Sequence, residues 1–79
     1  MSVIPLPRLS VGQTARIERI DLGQEFTARL RALGMAPGQS IALIRQAPCN
    51  GPLHLRLGTT EIMLRRDQAC SIHVTPSSD

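Results

Sequence analysis

One stretch of this chain commits it to a β architecture. Leu53, Leu55 and Leu57 alternate with His54 and Arg56; Gly58-Thr59 follows; then Ile62 and Leu64 alternate with Glu61, Met63 and Arg65. A period of two sends every other side chain to one face of a strand. A glycine-led pair between two such runs is the signature of a two-residue hairpin turn. That turn sets the register. Leu55 faces Ile62 and Leu53 faces Leu64 on the inner face, while Arg56 meets Glu61 outside as an ion pair worth roughly a few tenths of a kcal/mol. A slip of one residue would turn every leucine to water. The rest of the 79-residue chain must therefore cover one apolar sheet face.

Shorter signals fill in the remainder. In residues 1–13, Pro5 and Pro7 deny helix, and Leu9 can dip into the core before a turn at Ser10-Val11-Gly12. From Thr14 to Ile20, Ala15 and Ile17 alternate with polar residues, and Ile20 breaks the parity, which predicts a bulge near Arg19. The period then lengthens. Phe26, Leu30 and Leu33 form one helical stripe, which predicts a helix from Gln24 to Leu33 with Gly34 just past its end. Pro37-Gly38 reads as a type II turn. Ser40 to Gln46 is a strand of ambiguous parity, because Ile41 and Leu43 share a face that Ile44 does not. Residues 47–52 form a loop, Arg66-Asp67-Gln68-Ala69 a connector with room for one 3₁₀ turn, and Ile72 and Val74 a last strand before a frayed tail, 76–79. The sum is a single domain, 1–79, with an ordered core over about 9–75. Its class is mainly β: a small, partly open SH3-like barrel of about five strands with one helix inserted after the first.

Composition narrows the function. The core must be aliphatic, because the chain has one Phe and neither Trp nor Tyr. The missing aromatics argue against base stacking on single strands and against a groove for proline-rich peptides. A net charge of +3, nine arginines against six carboxylates, is modest for neutralising phosphates, so the arginines are read as surface cover and no nucleic-acid partner is expected. No run approaches the length of a bilayer span, and MSVIPLPRLS lacks the basic start of a signal peptide, so a cytoplasmic protein is expected. No nucleophile, acid–base pair or phosphate loop is present, and an enzyme is not expected. Cys49 and Cys70 make no disulfide scaffold; Cys49 is read as an exposed loop thiol and Cys70 as partly buried. They do not combine with His54 and His73 in any metal-ligand spacing, so no cofactor is required. His54 and Glu61, diagonal to each other across the hairpin, and Cys49 remain surface candidates for a divalent zinc or ferrous ion.

The chain also resembles a known family. Arg29-Leu-Arg-Ala-Leu-Gly-Met-Ala-Pro-Gly-Gln-Ser-Ile41, then Ala47-Pro48, Gly58 through Leu64-Arg65, and Ala69 through Ile72 and Val74 are similar to the ferrous iron transport protein A (FeoA) family over about residues 9–75. Leu9-Ser10 with Gly12, Ala15 and Ile17 fits the same pattern. The resemblance implies an SH3-like barrel in the cytoplasm, at the inner face of the membrane through its partner, the membrane GTPase-permease FeoB. It implies contact with that partner and modulation of its activity or assembly, with no catalytic motif. Related domains are fused to iron-responsive repressors, but this chain lacks their DNA-binding helices. Cys49-Asn50 departs from the expected loop. The contact surface is expected at Arg29, Leu33, Met35 and Pro37, with Met35 exposed beside arginines; the alternative puts Leu33 in the core and Met35 over the barrel rim. Met63 is a second exposed candidate, for the partner or for a homodimer. Two other function classes stay open: an SH3-like nucleic-acid or ribosome-binding module, and a small metal-binding protein.

Overall fold

The computed structural model describes residues 2–77. Six strands alternate with short helical pieces: β1 (Ile4–Pro5), a 3₁₀ turn (Leu6–Arg8), β2 (Thr14–Ile20), α1 (Gln24–Ala32), β3 (Ser40–Gln46), β4 (Leu53–Leu57), β5 (Thr60–Leu64), α2 (Arg66–Ala69) and β6 (Ile72–Pro76). All pair antiparallel in the order β1-β6-β2-β3-β4-β5, so the sheet curls without closing and keeps β1 and β5 as edges. No helix among the described residues is long and apolar enough to cross a membrane.

The hairpin has the expected register, with Leu55 opposite Ile62 and Leu53 opposite Leu64. Both parity breaks are bulges. The β2–β6 pairing shifts between Ile17 and Arg19, and the β3–β4 pairing shifts between Leu43 and Arg45. An extra residue on one strand lets Ile44 leave the face of Ile41 and Leu43 without breaking the sheet. The turn before β3 is as expected: Gln39 N–H donates to the Ala36 carbonyl at 3.1 Å across Pro37-Gly38, and Gly38 has φ 92°. The buried set is entirely apolar: aliphatic side chains of all the strands except β1, joined by Leu6, Leu9, Leu30, Met35 and Ala69. Phe26 is half-buried against it.

Order extends further in both directions than the sequence suggests. Ile4 pairs with Val74, and Leu6 is fully buried, so the two prolines bracket a core residue instead of marking a loose lead. Pro5 is tolerated because a two-residue edge strand needs few donors. At the other end, Pro76 belongs to β6 and Ser77 N–H donates to the Thr14 carbonyl at 2.9 Å. Of the tail expected to fray, only 78–79 lie outside the described residues. The connector after β5 closes as one α-turn, with Cys70 N–H donating to the Arg66 carbonyl at 3.0 Å. Cys70 is exposed there, not partly buried.

The largest correction concerns the end of α1. Leu33 is 45% exposed and Met35 is 0% exposed, so neither reading of this pair stands. Gly34, at φ 101°, reverses the chain. Its N–H donates to the Arg31 carbonyl at 3.0 Å, and Met35 N–H reaches back to the Leu30 carbonyl at 2.9 Å. This is a Schellman closure, in which the second residue beyond the cap folds onto the last turn. Met35 is that residue and takes the core volume next to Leu30, leaving Leu33 to overhang the edge. Met35 therefore belongs to no contact surface. Met35→Asp is expected to unfold a domain whose net stability at this size is about 3–5 kcal/mol, and Met35→Ala to cost about 2–5 kcal/mol; urea denaturation followed by circular dichroism checks both.

Candidate functional site

The helix α1 is anchored lightly. Leu30 is its one fully buried side chain, and Phe26 and Thr27 are half-covered. Its cap is Gly23, without a side-chain acceptor, while the Thr27 hydroxyl donates back to the Leu22 carbonyl at 3.0 Å. Glu25 in the first turn and Arg29 and Arg31 in the last agree in sign with the helix dipole. The remaining face carries Ala28, Arg29, Arg31, Ala32 and Leu33 in solvent, with exposed Pro37 just beyond. Beside it, Leu22, Gln24, Thr27, Ala28 and Arg31 line a shallow groove of about 330 Å³. Of the expected contact residues, Arg29, Leu33 and Pro37 thus share one segment of surface. Met63, 60% exposed, stands on the edge strand β5 instead.

The candidate metal ligands do not assemble. His54 Nε2 lies 2.7 Å from Glu61 Oε1, so the diagonal relation across the hairpin is realised. Glu61 closes on His54 and not on Arg56, which is opposite it in register. The half-buried imidazole offers a fixed polar atom, whereas exposed Arg56 would have to lose side-chain freedom to make the pair. Cys49 does not join them, and among the described residues no three His, Cys, Asp or Glu side chains converge. His73 is engaged elsewhere, 3.3 Å from Asp21 Oδ2, which also accepts from Arg19 Nε at 2.8 Å.

Cys49 and Asn50 occupy a mirror-type turn, at φ 59° and 61°, closed by Gly51 N–H donating to the Pro48 carbonyl at 3.2 Å. Asn tolerates this left-handed region; Cys does so at a cost of roughly 1–2 kcal/mol. Sequence reasoning missed a groove of about 540 Å³ between this turn and α2, lined by Asn50, Gly51, Pro52, Arg65, Arg66, Asp67 and Cys70. Its two walls, a loop and a short helix, are distant in sequence, and no local pattern joins them.

One polar cluster ties β2 to β6. Thr75 Oγ1 donates to Glu18 Oε2 at 2.7 Å, and Arg16 adds its Nη2 at 2.9 Å and Nε at 3.1 Å to the same oxygen. The Thr75 hydrogen bond, then that from Arg16, holds the Glu18 carboxyl below its ordinary pKa. A depressed carboxylate stabilises the fold above the unfolded Glu value of about 4.3, and this contribution is lost as pH falls through the lower folded value. Melting temperatures measured from neutral pH down to about pH 3 should therefore fall less steeply for Glu18→Gln than for the parent. Parallel curves would contradict this assignment.

A family profile described as FeoA domain matches residues 4–76. The chain is 30% identical over 69 residues to a fusion of Fe(2+) transport protein A with the Fe(2+) transporter FeoB in Porphyromonas gingivalis, covering 87% of this chain and 8% of that protein. It spans a small part of that relative. Among solved structures, the FeoA protein of Chlorobium tepidum superposes with TM-score 0.89 at 25% identity, covering 96% of this chain and 73% of that one. The zinc-complexed FeoA of Stenotrophomonas maltophilia, described as a prokaryotic SH3 domain protein, superposes with TM-score 0.74 at 29% identity, covering 87% and 86%. The expected SH3-like class is thereby met, with a sixth strand and a second helical turn added.

Proposed function

This chain belongs to the FeoA family, involved in ferrous iron transport, and on that premise we propose that it is a non-enzymatic accessory protein of ferrous iron uptake. It acts in the cytoplasm by binding the cytoplasmic part of a FeoB-type membrane GTPase and modulating its activity or assembly. The observation that carries this reading is the Porphyromonas gingivalis fusion, where a transport protein A segment and FeoB share one chain. Fusion supplies by tethering the proximity that a separate protein must obtain by binding.

The exposed end of α1 is the contact surface of this reading. Leu33 supplies an apolar centre, with Arg29 one helical turn before it and Pro37 just beyond. An exposed leucine beside an arginine has the composition of an interface core with a polar rim. Leu33→Asp should keep the fold, since the side chain is already in solvent, and abolish capture of the FeoB cytoplasmic domain in a pull-down. The parent protein should change the GTP hydrolysis rate of that domain, and Leu33→Asp should not. An unchanged rate with the parent overturns the modulation; binding unaffected by Leu33→Asp overturns the placement.

The role needs no resident metal. His54 and Glu61 are two ligands where a stable zinc site takes three or four. Calorimetric titration with zinc or ferrous ions should give no heat at micromolar concentration. Micromolar binding lost in His54→Ala would overturn this.

A further inference from the structure

The two edges of the sheet differ. β1 is two residues long and contains Pro5, so it offers little to another strand. β5 has five residues, Thr-Glu-Ile-Met-Leu, with no proline, no lysine and no bulge against β4. The hairpin turn decides which of its backbone groups are free. A two-residue loop makes Leu57–Thr60 the closing hydrogen-bonded pair, so Leu55–Ile62 and Leu53–Leu64 are hydrogen-bonded too. Glu61 and Met63 alternate with them and aim N–H and C=O away from β4. Among the described residues neither has a backbone partner on that side. The Met63 side chain stands over the same edge, 60% exposed.

We propose that β5 pairs antiparallel with β5 of a second copy of this chain, about a two-fold axis at Ile62. In this register the two five-residue strands overlap end to end, and each Glu61 faces the partner's Met63. The free groups of Glu61 and Met63 then form four backbone hydrogen bonds, the isologous match that a two-fold axis requires. The neighbouring registers are worse. A shift one way brings Glu61 against the partner's Glu61, a like-charge pair. A shift the other way draws in Arg65, whose N–H already donates to Gln68 Oε1 at 3.3 Å and whose carbonyl accepts from Ala69 at 2.9 Å. Strands of this length, about 17 Å, bury less than the roughly 1,200 Å² of a tight complex. The dimer is therefore weak and forms toward millimolar protein. It stands independently of the iron-transport reading.

Sedimentation and NMR relaxation of the full chain, from about 50 μM to 2 mM, test it. The parent should pass from monomer to dimer. Met63→Pro should abolish the dimer while keeping the fold, because the N–H it removes points away from β4. Met63→Glu places two like-charge pairs against Glu61 and should weaken association, whereas Met63→Arg places two opposite-charge pairs and should strengthen it, a gap of about tenfold between them. Circular dichroism confirms that each variant is folded. A parent monomeric throughout, dimerisation surviving Met63→Pro, or equal weakening by both charges overturns the proposal.

Discussion

The two-residue turn at Gly58-Thr59 decides more of this molecule than its size suggests. Gly58 adopts φ 62°, a conformation that an L side chain enters at a cost, and so holds the hairpin in one phase. That phase sends Leu53, Leu55, Leu57 and Leu64 inward, where all four are buried. It places His54 and Glu61 on the outer face, close enough for their 2.7 Å contact. It also determines which backbone groups of β5 are left for a neighbour. Core, surface polar pair and open edge are three consequences of one register.

A second reversal, at Gly34, feeds the same core from the helix, and it shows what periodicity alone misses. The stripe Phe26, Leu30, Leu33 is a sound guide while the helix lasts, and α1 falls within a residue of its expected bounds. Beyond the cap the helical phase no longer applies. The glycine that marks the end also dictates that Met35 folds back onto Leu30. The signal that would have placed Met35 inside was present in Leu30-x-x-x-Gly34-Met35, as a capping rule and not a periodic one. Leu33, freed from the core, is what leaves the helix end apolar and in solvent.

Other features were legible to differing depths for identifiable reasons. Strand bounds at Thr14–Ile20 and Ser40–Gln46 followed from β-branched and aliphatic runs closed by turn residues, and the parity break in the first announced its bulge, whereas the ambiguous parity of the second became a bulge only in the structure. The pairing of Ile4 with Val74 was not legible, since a two-residue strand has no period and its partner lies seventy positions on. The preference of Glu61 for His54 over Arg56 depends on the burial of an imidazole and the freedom of a guanidinium, which register does not encode. The groove between the Cys49-Asn50 turn and α2 is a property of two segments distant in sequence and has no sequence signature.

Charge and apolar exposure carry different weight in reading the surface. Arg16 and Arg19 pair with carboxylates two residues on, Glu18 within β2 and Asp21 just past its end, and Arg65 lies 3.6 Å from Asp67. Arg29 and Arg31 have work within the fold as well, since cations in the last helical turn offset the partial negative charge of its carbonyls. Their presence needs no partner to explain it. Leu33 is different. Its exposure gives the fold nothing, and keeping about half of a leucine in water forgoes roughly 1 kcal/mol of burial. In a chain with so little apolar material to spare, that forgone burial sets Leu33, together with the more exposed Val3, Val11 and Met63, apart from the arginines as surface that the fold itself does not use.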